Sequence, residues 1–196
     1  FAVPCTNRVL HTLNIRLFPE QLVYIINHAE DEVIFVDRSL LALLLPLMDQ
    51  LQTVRHLIVM DDGPGDVPDS SQILDYEDLL SDANGVEFSV RDERQAASMC
   101  YTSGTTGNPK GVVYSHRSTY LHTLSTMSAD VLGIRESDVI LPVVPMFHVN
   151  SWGLQHAAVA VGATLVNPGP NLQAEPIARL LESEKVTITA GVPTIW

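Results

Sequence analysis

Residues 101–111 read Tyr101-Thr102-Ser103-Gly104-Thr105-Thr106-Gly107-Asn108-Pro109-Lys110-Gly111. Three glycines, four Ser/Thr residues, one proline and one lysine share eleven positions. Glycines let successive backbone N–H groups turn inward and make a concave anion site. The hydroxyls add donors and Lys110 adds a point charge, so a polyphosphate is the ligand this chemistry suits. The run is not a Walker A loop, which needs Gly-Lys-Ser/Thr after four intervening residues. Here Lys110 follows Pro109 and precedes Gly111. A flexible Gly/Thr surface hairpin would explain the glycines, but not the order of Thr, Pro and Lys around them.

The flanks define the local architecture. Ala97 to Tyr101 reads as a short buried strand and Val112 to Tyr114 as another. A Walker loop leads from a strand into a helix N-terminus; this run reads as a strand–loop–strand clamp. Further out, helix and strand signals alternate. Pro19 opens a helix, with Leu22, Ile25, Ile26 and Ala29 at helical spacing. Val33 to Val36 is predicted as a buried strand, Ser39 to Leu51 as a helix kinked at Pro46, and Leu57 to Met60 as a strand. Asp61 to Ser71 is a loop rich in Asp, Gly, Pro and Ser, and Tyr76 to Leu80 a short helix. Beyond the glycine-rich run come a helix from Ser115 or His116 to Met127 and a strand from Val139 to Val144, interrupted by Pro142. A helix from Trp152 to Val161, closed by Gly162, then leads to a strand at Ala163 to Val166. A helix at Ala174 to Ser183 and a strand at Val186 to Ala190 complete the series. Such alternation predicts an α/β fold of mainly parallel sheets flanked by helices.

Composition narrows the function classes. The chain has 196 residues, 46% of them hydrophobic, enough for one good core or for one domain and part of another. A formal net charge of −12 makes nucleic acid and anionic membrane surfaces poor partners. The anion site must therefore be local. Two cysteines, Cys5 and Cys100, give no disulfide framework and fit a reducing cytoplasm, with Cys100 read as a small buried hydrophobe. Among the seven histidines, His116 and His122 stand six apart and His148 and His156 eight apart, which is not metal-ligand spacing. The apolar runs Leu40 to Met48 and Trp152 to Val166 fall short of the ~20 residues of a transmembrane span. Without an initiator methionine and with an unfinished pattern at Trp196, the sequence reads as a fragment.

A second constellation, Pro145-Met146-Phe147-His148-Val149-Asn150-Ser151-Trp152-Gly153, follows a predicted strand. Open α/β sheets bind ligands beyond the carboxyl ends of their strands. There Phe147 and Trp152 would wall a pocket, and His148 and Asn150 would offer hydrogen bonds. Taken alone, the segment reads rather as core aromatics with a satisfied buried histidine; the glycine-rich run upstream turns the reading toward a pocket. A third stretch, Thr189-Ala190-Gly191-Val192-Pro193-Thr194, ends a strand in Gly and Pro and permits close approach of a ligand, although alone it reads as an ordinary turn.

The run at 101–111 resembles the phosphate-binding signature of the adenylate-forming superfamily (acyl-CoA synthetases, luciferases and peptide-synthetase adenylation domains), and every position conforms. Leu10 to Leu17, Ile25 to Ala29, the Phe147-His148 loop and Gly191 to Thr194 are similar to the fatty acyl-CoA synthetase branch, so the likeness spans nearly the whole chain. The resemblance implies a partial N-terminal AMP-binding domain over residues 1–196, with the C-terminal domain absent. It implies that the complete parent activates a carboxylic acid, medium- or long-chain fatty, with MgATP to acyl-AMP and passes the acyl group to coenzyme A. By the same resemblance, Thr102, Ser103, Gly104, Thr105, Thr106 and Gly107 hold the β- and γ-phosphates, Lys110 supplies the cation, and Thr102 touches Mg²⁺. His148 borders the carboxylate and α-phosphate; Trp152 and Gly191 shape the acyl site. The partners implied are the acid, ATP and coenzyme A, in a cytoplasmic protein without a transmembrane segment and with homodimerisation left open. The later adenine, ribose, hinge and C-terminal lysine motifs are not in this sequence, so the segment alone is expected to catalyse nothing. The rival readings are an adenylating enzyme with another acceptor, a non-catalytic nucleotide-binding remnant, and a plain α/β interaction module.

Overall fold

Runs of apolar residues set the longer strands, and the helix Pro19–Ala29 shows three-and-four spacing at Leu22, Ile25, Ile26 and Ala29. The computed structural model describes residues 1–60, 63–102 and 107–192. In chain order its elements are α1 (Ala2–Cys5), β1 (Leu10–His11), α2 (Pro19–Ala29), β2 (Val33–Asp37), α3 (Leu41–Leu44), β3 (His56–Met60), β4 (Ile73–Asp75), α4 (Tyr76–Ser81), β5 (Ala96–Thr102), β6 (Lys110–Ser115), α5 (His116–Met127), β7 (Val139–Pro142), α6 (Leu154–Val161), β8 (Thr164–Leu165), α7 (Ala174–Ser183) and β9 (Ile188–Ala190). They form three three-stranded sheets, ordered β1-β5-β6, β2-β3-β4 and β8-β7-β9. The pairings of β1 with β5, β2 with β3, β3 with β4, and β7 with β8 and β9 are all parallel. The α/β expectation therefore holds.

The chain divides into two compact units. Among the described residues one comprises 1–13, 88–102 and 112–192, and the other 14–87 and 107–111. In the first, β7 is covered on both faces, as a central parallel strand requires. Ile140 packs with Leu154, Ala157 and Ala158 of α6, while its neighbour Leu141 packs with Val143 and Ile177 of α7. Pairing Pro142 with Ala190 sets the carboxyl ends of β7 and β9 side by side. Ser115 caps α5, its hydroxyl accepting from the Ser118 N–H at 3.0 Å. Gly162 closes α6 in the left-handed conformation at φ 80°, as its position predicts.

In the second unit, Leu22, Ile25 and Ile26 on α2, Ile34 and Val36 on β2, and Leu57 and Val59 on β3 are buried. The Asn27 side chain donates to the Gln50 carbonyl at 2.9 Å and accepts from the Gln52 N–H at 2.8 Å, tying α2 to the segment before β3.

Several boundaries differ from the sequence reading. The segment 38–50 is helical, but only Leu41–Leu44 is α-helix; 3₁₀ turns at Arg38–Leu40 and Leu45–Gln50 flank it, with Pro46 in the first positions of the second. Proline cannot donate to the preceding turn, so the α-helix stops there rather than kinking. β2 is not buried on both faces: Val33 and Phe35 are exposed and alternate with buried Ile34 and Val36. β1 and β4 are strands, and α1 a helical turn, that the sequence reading lacks. β7 ends at Pro142, two residues early, and the N–H groups of Val143 and Val144 both turn to the Ala190 carbonyl at 2.9 and 3.0 Å. Most consequential, α6 begins at Leu154, not Trp152.

Candidate functional site

The residues that replace the expected first turn of α6 form a left-handed turn. Val149, Asn150, Ser151, Trp152 and Gly153 have φ of 52°, 48°, 52°, 55° and 69°. Elsewhere among the described residues positive φ occurs only at isolated positions. For an L-residue this conformation costs about 1–2 kcal/mol because Cβ crowds the following carbonyl oxygen. Only Asn150 and Gly153 are residue types that accept it readily. Local propensity therefore opposes the turn, and tertiary bonds must hold it.

Those bonds are side-chain bonds to strands. Asn150 is buried; its Nδ2 donates to Ser98 Oγ at 2.8 Å and its Oδ1 accepts from Cys100 Sγ at 3.1 Å. Ser98 and Cys100 stand two apart on one face of β5. Fully buried Ser151 donates from Oγ to the Val144 carbonyl at 2.6 Å, fastening the turn to the end of β7. Thr12 Oγ1 donates to the Met146 carbonyl at 2.9 Å, so the chain just past β1 holds the start of the same segment. Gly153 lies against the His122 imidazole, where an added Cβ would stand 2.8 Å from Nδ1.

The outcome for the expected site residues is mixed. His148 and Trp152 are exposed, so neither is a core residue. Asn150 is not a solvent-facing hydrogen-bonding group; its amide is spent inside the protein. Gly191 follows β9 directly, beside the carboxyl end of β7 from which the His148 segment departs. Thr102 is the exposed last residue of β5, on the face that carries Ser98 and Cys100. The first unit thus brings together the end of β5, the turn bearing His148 and Trp152, and the end of β9. Ser103, Gly104, Thr105 and Thr106 lie outside the described residues, as do Pro193 and Thr194. Gly107 has φ 127°, a backbone that side-chain-bearing residues rarely adopt, which accounts for glycine there. Lys110 is exposed and opens β6, and β6 neighbours β5 in the sheet, as a strand–loop–strand reading requires.

The electrostatics beside this region are set by burial. Burial raises the Tyr114 phenol on β6, and the Cys100 thiol adds to the effect. His156 on α6 is pushed below the usual histidine range, chiefly by burial, with His122 adding to the effect. Its Nδ1 is buried without a partner, and its ring meets Phe1 edge-on at 5.3 Å. Cys5 and Cys100 are both free thiols. Among the described residues no cluster of three His, Cys, Asp or Glu is arranged to hold a metal ion, and no helix is long and apolar enough to cross a membrane.

Known proteins resemble the chain in both sequence and fold. The model of the AMP-binding enzyme family matches residues 1–196. The chain is 50% identical over 192 residues to 3-methylmercaptopropionyl-CoA ligase of Ruegeria lacuscaerulensis, covering 96% of this chain and 35% of that protein. It is 49% identical to the long-chain-fatty-acid–CoA ligase of Thermus thermophilus, covering 100% of this chain and 35% of that one. Among solved structures, the long-chain-fatty-acid-CoA ligase FadD1 of Archaeoglobus fulgidus superposes with a TM-score of 0.79 at 26% identity, over 97% of this chain and 36% of that one. The chain spans about 35% of the length of the curated relatives it matches.

Proposed function

The chain belongs to the AMP-binding enzyme family, and from that premise we propose that it is part of an acid–CoA ligase acting on a medium- or long-chain fatty acid. The activity is that of a longer protein. In the first step a carboxylate oxygen attacks the α-phosphorus of ATP, forming the acyl–phosphate bond of acyl-AMP and breaking the bond to pyrophosphate. In the second, the thiolate sulfur of coenzyme A attacks the acyl carbon and AMP leaves.

In this proposal residues 102–107 cradle the β- and γ-phosphates through backbone N–H groups and hydroxyls, and Lys110 neutralises the charge that develops on the leaving pyrophosphate. Such chemistry depends on positioning and charge stabilisation. His148 borders the carboxylate and α-phosphate, while Trp152 and Gly191 shape the acyl site. A general base is unnecessary, because a carboxylate is already a nucleophile. Magnesium usually reaches such sites with the phosphates, keeping several waters and few protein ligands. The hard hydroxyl oxygen of Thr102, exposed at the end of β5, fits that donor set; bound there with ATP, the ion would neutralise phosphate charge.

The observation that supports this reading most is the attachment of the 149–153 turn, with His148 and Trp152 at its edges, to the strand that runs into the glycine-rich signature. The names of the relatives favour coenzyme A as acceptor. The test is acyl-CoA and AMP formation by the full-length protein with a panel of straight-chain, branched, aromatic and sulfur-containing carboxylic acids. Product with C8–C18 straight-chain acids is expected; AMP without acyl-CoA would move the reading to another acceptor, and no AMP with any acid would overturn it.

A further inference from the structure

The left-handed turn is held against its own backbone preference, and the way it is held points to a role. Both ends of the Asn150 amide are spent on β5: Nδ2 on Ser98 Oγ at 2.8 Å and Oδ1 on Cys100 Sγ at 3.1 Å. Strand alternation places Ser98, Cys100 and Thr102 on one face. Thr102 therefore stands about 6–7 Å along the strand from Cys100.

We propose that Asn150 is a positioning residue: it clamps the turn that carries His148 and Trp152 to the face of β5 that ends in Thr102. The proposal rests on the acid–CoA ligase reading above. An asparagine could serve here only because it tolerates positive φ. That explanation is insufficient, since Val149, Ser151 and Trp152 share the conformation without that tolerance. Two side chains of β5 also take up the two ends of the amide in a buried setting. A pair of bonds to residues two apart fixes both the height of the turn along the strand and its tilt. One such bond would leave the tilt free. Displacement of a reacting group by 1 Å can cost on the order of a hundredfold in rate, so the clamp has kinetic weight even though Asn150 is buried and its amide is spent on β5.

The test separates the clamp from the backbone requirement. Asn150→Gly in the full-length enzyme keeps a residue at ease with positive φ and removes both bonds. The expected result is a fall in kcat for carboxylate-dependent pyrophosphate exchange of roughly ten- to a hundredfold. The KM for ATP should stay within about threefold, because the bonds that the substitution removes go to Ser98 and Cys100, upstream of the glycine-rich run. Ser98→Ala, which removes only the acceptor for Nδ2, should lower kcat by a smaller factor in the same direction and needs no change of backbone. A purely structural asparagine would lower the melting temperature or the amount of folded protein while leaving kcat per active site unchanged, and that result in both variants overturns the proposal. Full activity of Asn150→Gly overturns it as well. If the wild-type enzyme shows no carboxylate-dependent exchange, the ligase reading falls and the clamp falls with it; an active wild type with indifferent variants sinks the clamp alone.

Discussion

Gly153→Ala tests whether the 149–153 turn is left-handed and what makes its last residue a glycine. Two costs compete. Holding alanine at φ 69° costs about 1–2 kcal/mol. Against this, alanine restricts the unfolded chain and returns about 0.4–1 kcal/mol. The new methyl would also stand 2.8 Å from Nδ1 and 3.0 Å from Cε1 of His122. Forced overpacking costs about 1–3 kcal/mol when neighbours cannot move. Here the neighbour is an exposed imidazole on α5, free to swing outward, so the steric part belongs at or below the bottom of that range. The net loss should be about 1 kcal/mol, most of it backbone. Urea denaturation reads this as a lower midpoint at an unchanged slope. In a His122→Ala background the loss should persist to within about 0.5 kcal/mol, as for independent effects. A loss that vanishes when His122 is removed would show that packing, not backbone, demands the glycine. A loss near zero in both backgrounds would refute the left-handed turn.

Val149 occupies the same conformation at φ 52° with a branched, exposed side chain, so Val149→Gly should be stabilising by up to about 1 kcal/mol in the same urea assay; destabilisation would contradict the strain argument. His156 is held below the usual histidine range, so the native state binds fewer protons than the unfolded state. Its contribution to stability is therefore complete above about pH 6.5 and drains away as pH falls below that value. His156→Met should flatten the pH dependence of the melting temperature between pH 7 and pH 5, and an unchanged slope would exonerate His156.

Most of the sheet framework was readable because its longer strands carry runs of apolar residues bounded by turn chemistry, whereas β1, only Leu10 and His11, was too short to read. Pro19, Ser115 and Gly162 mark helix ends for reasons that hold without tertiary contacts. β4 escaped because its apolar signal is only Ile73 and Leu74, and the Asp75 cap of α4, accepting from the Glu77 and Asp78 N–H groups, was the cue nearby. The exposed face of β2 escaped because Val-Ile-Phe-Val carries no polar alternation to announce it. The left-handed turn at 149–153 was illegible for a deeper reason. Val149 to Trp152 contains no glycine, and small residues follow it, so local propensity favours helix. Its shape comes from bonds to Ser98, Cys100 and Val144, distant in sequence. Asn150, expected to face a ligand, faces the protein for the same reason. An asparagine followed three residues later by a glycine was the only local hint of positive φ. The glycine-rich run, by contrast, carries the family resemblance in order and composition alone, and the family model matches the chain.

The most direct test of the central claim is carboxylate-dependent ATP–pyrophosphate exchange by the full-length protein, wild type against Lys110→Ala. Exchange that requires a fatty acid, slowed at least roughly tenfold by the substitution, corresponds to about 1.4 kcal/mol in the barrier and is the predicted result. Exchange at the wild-type rate in Lys110→Ala would contradict the role given to the glycine-rich segment.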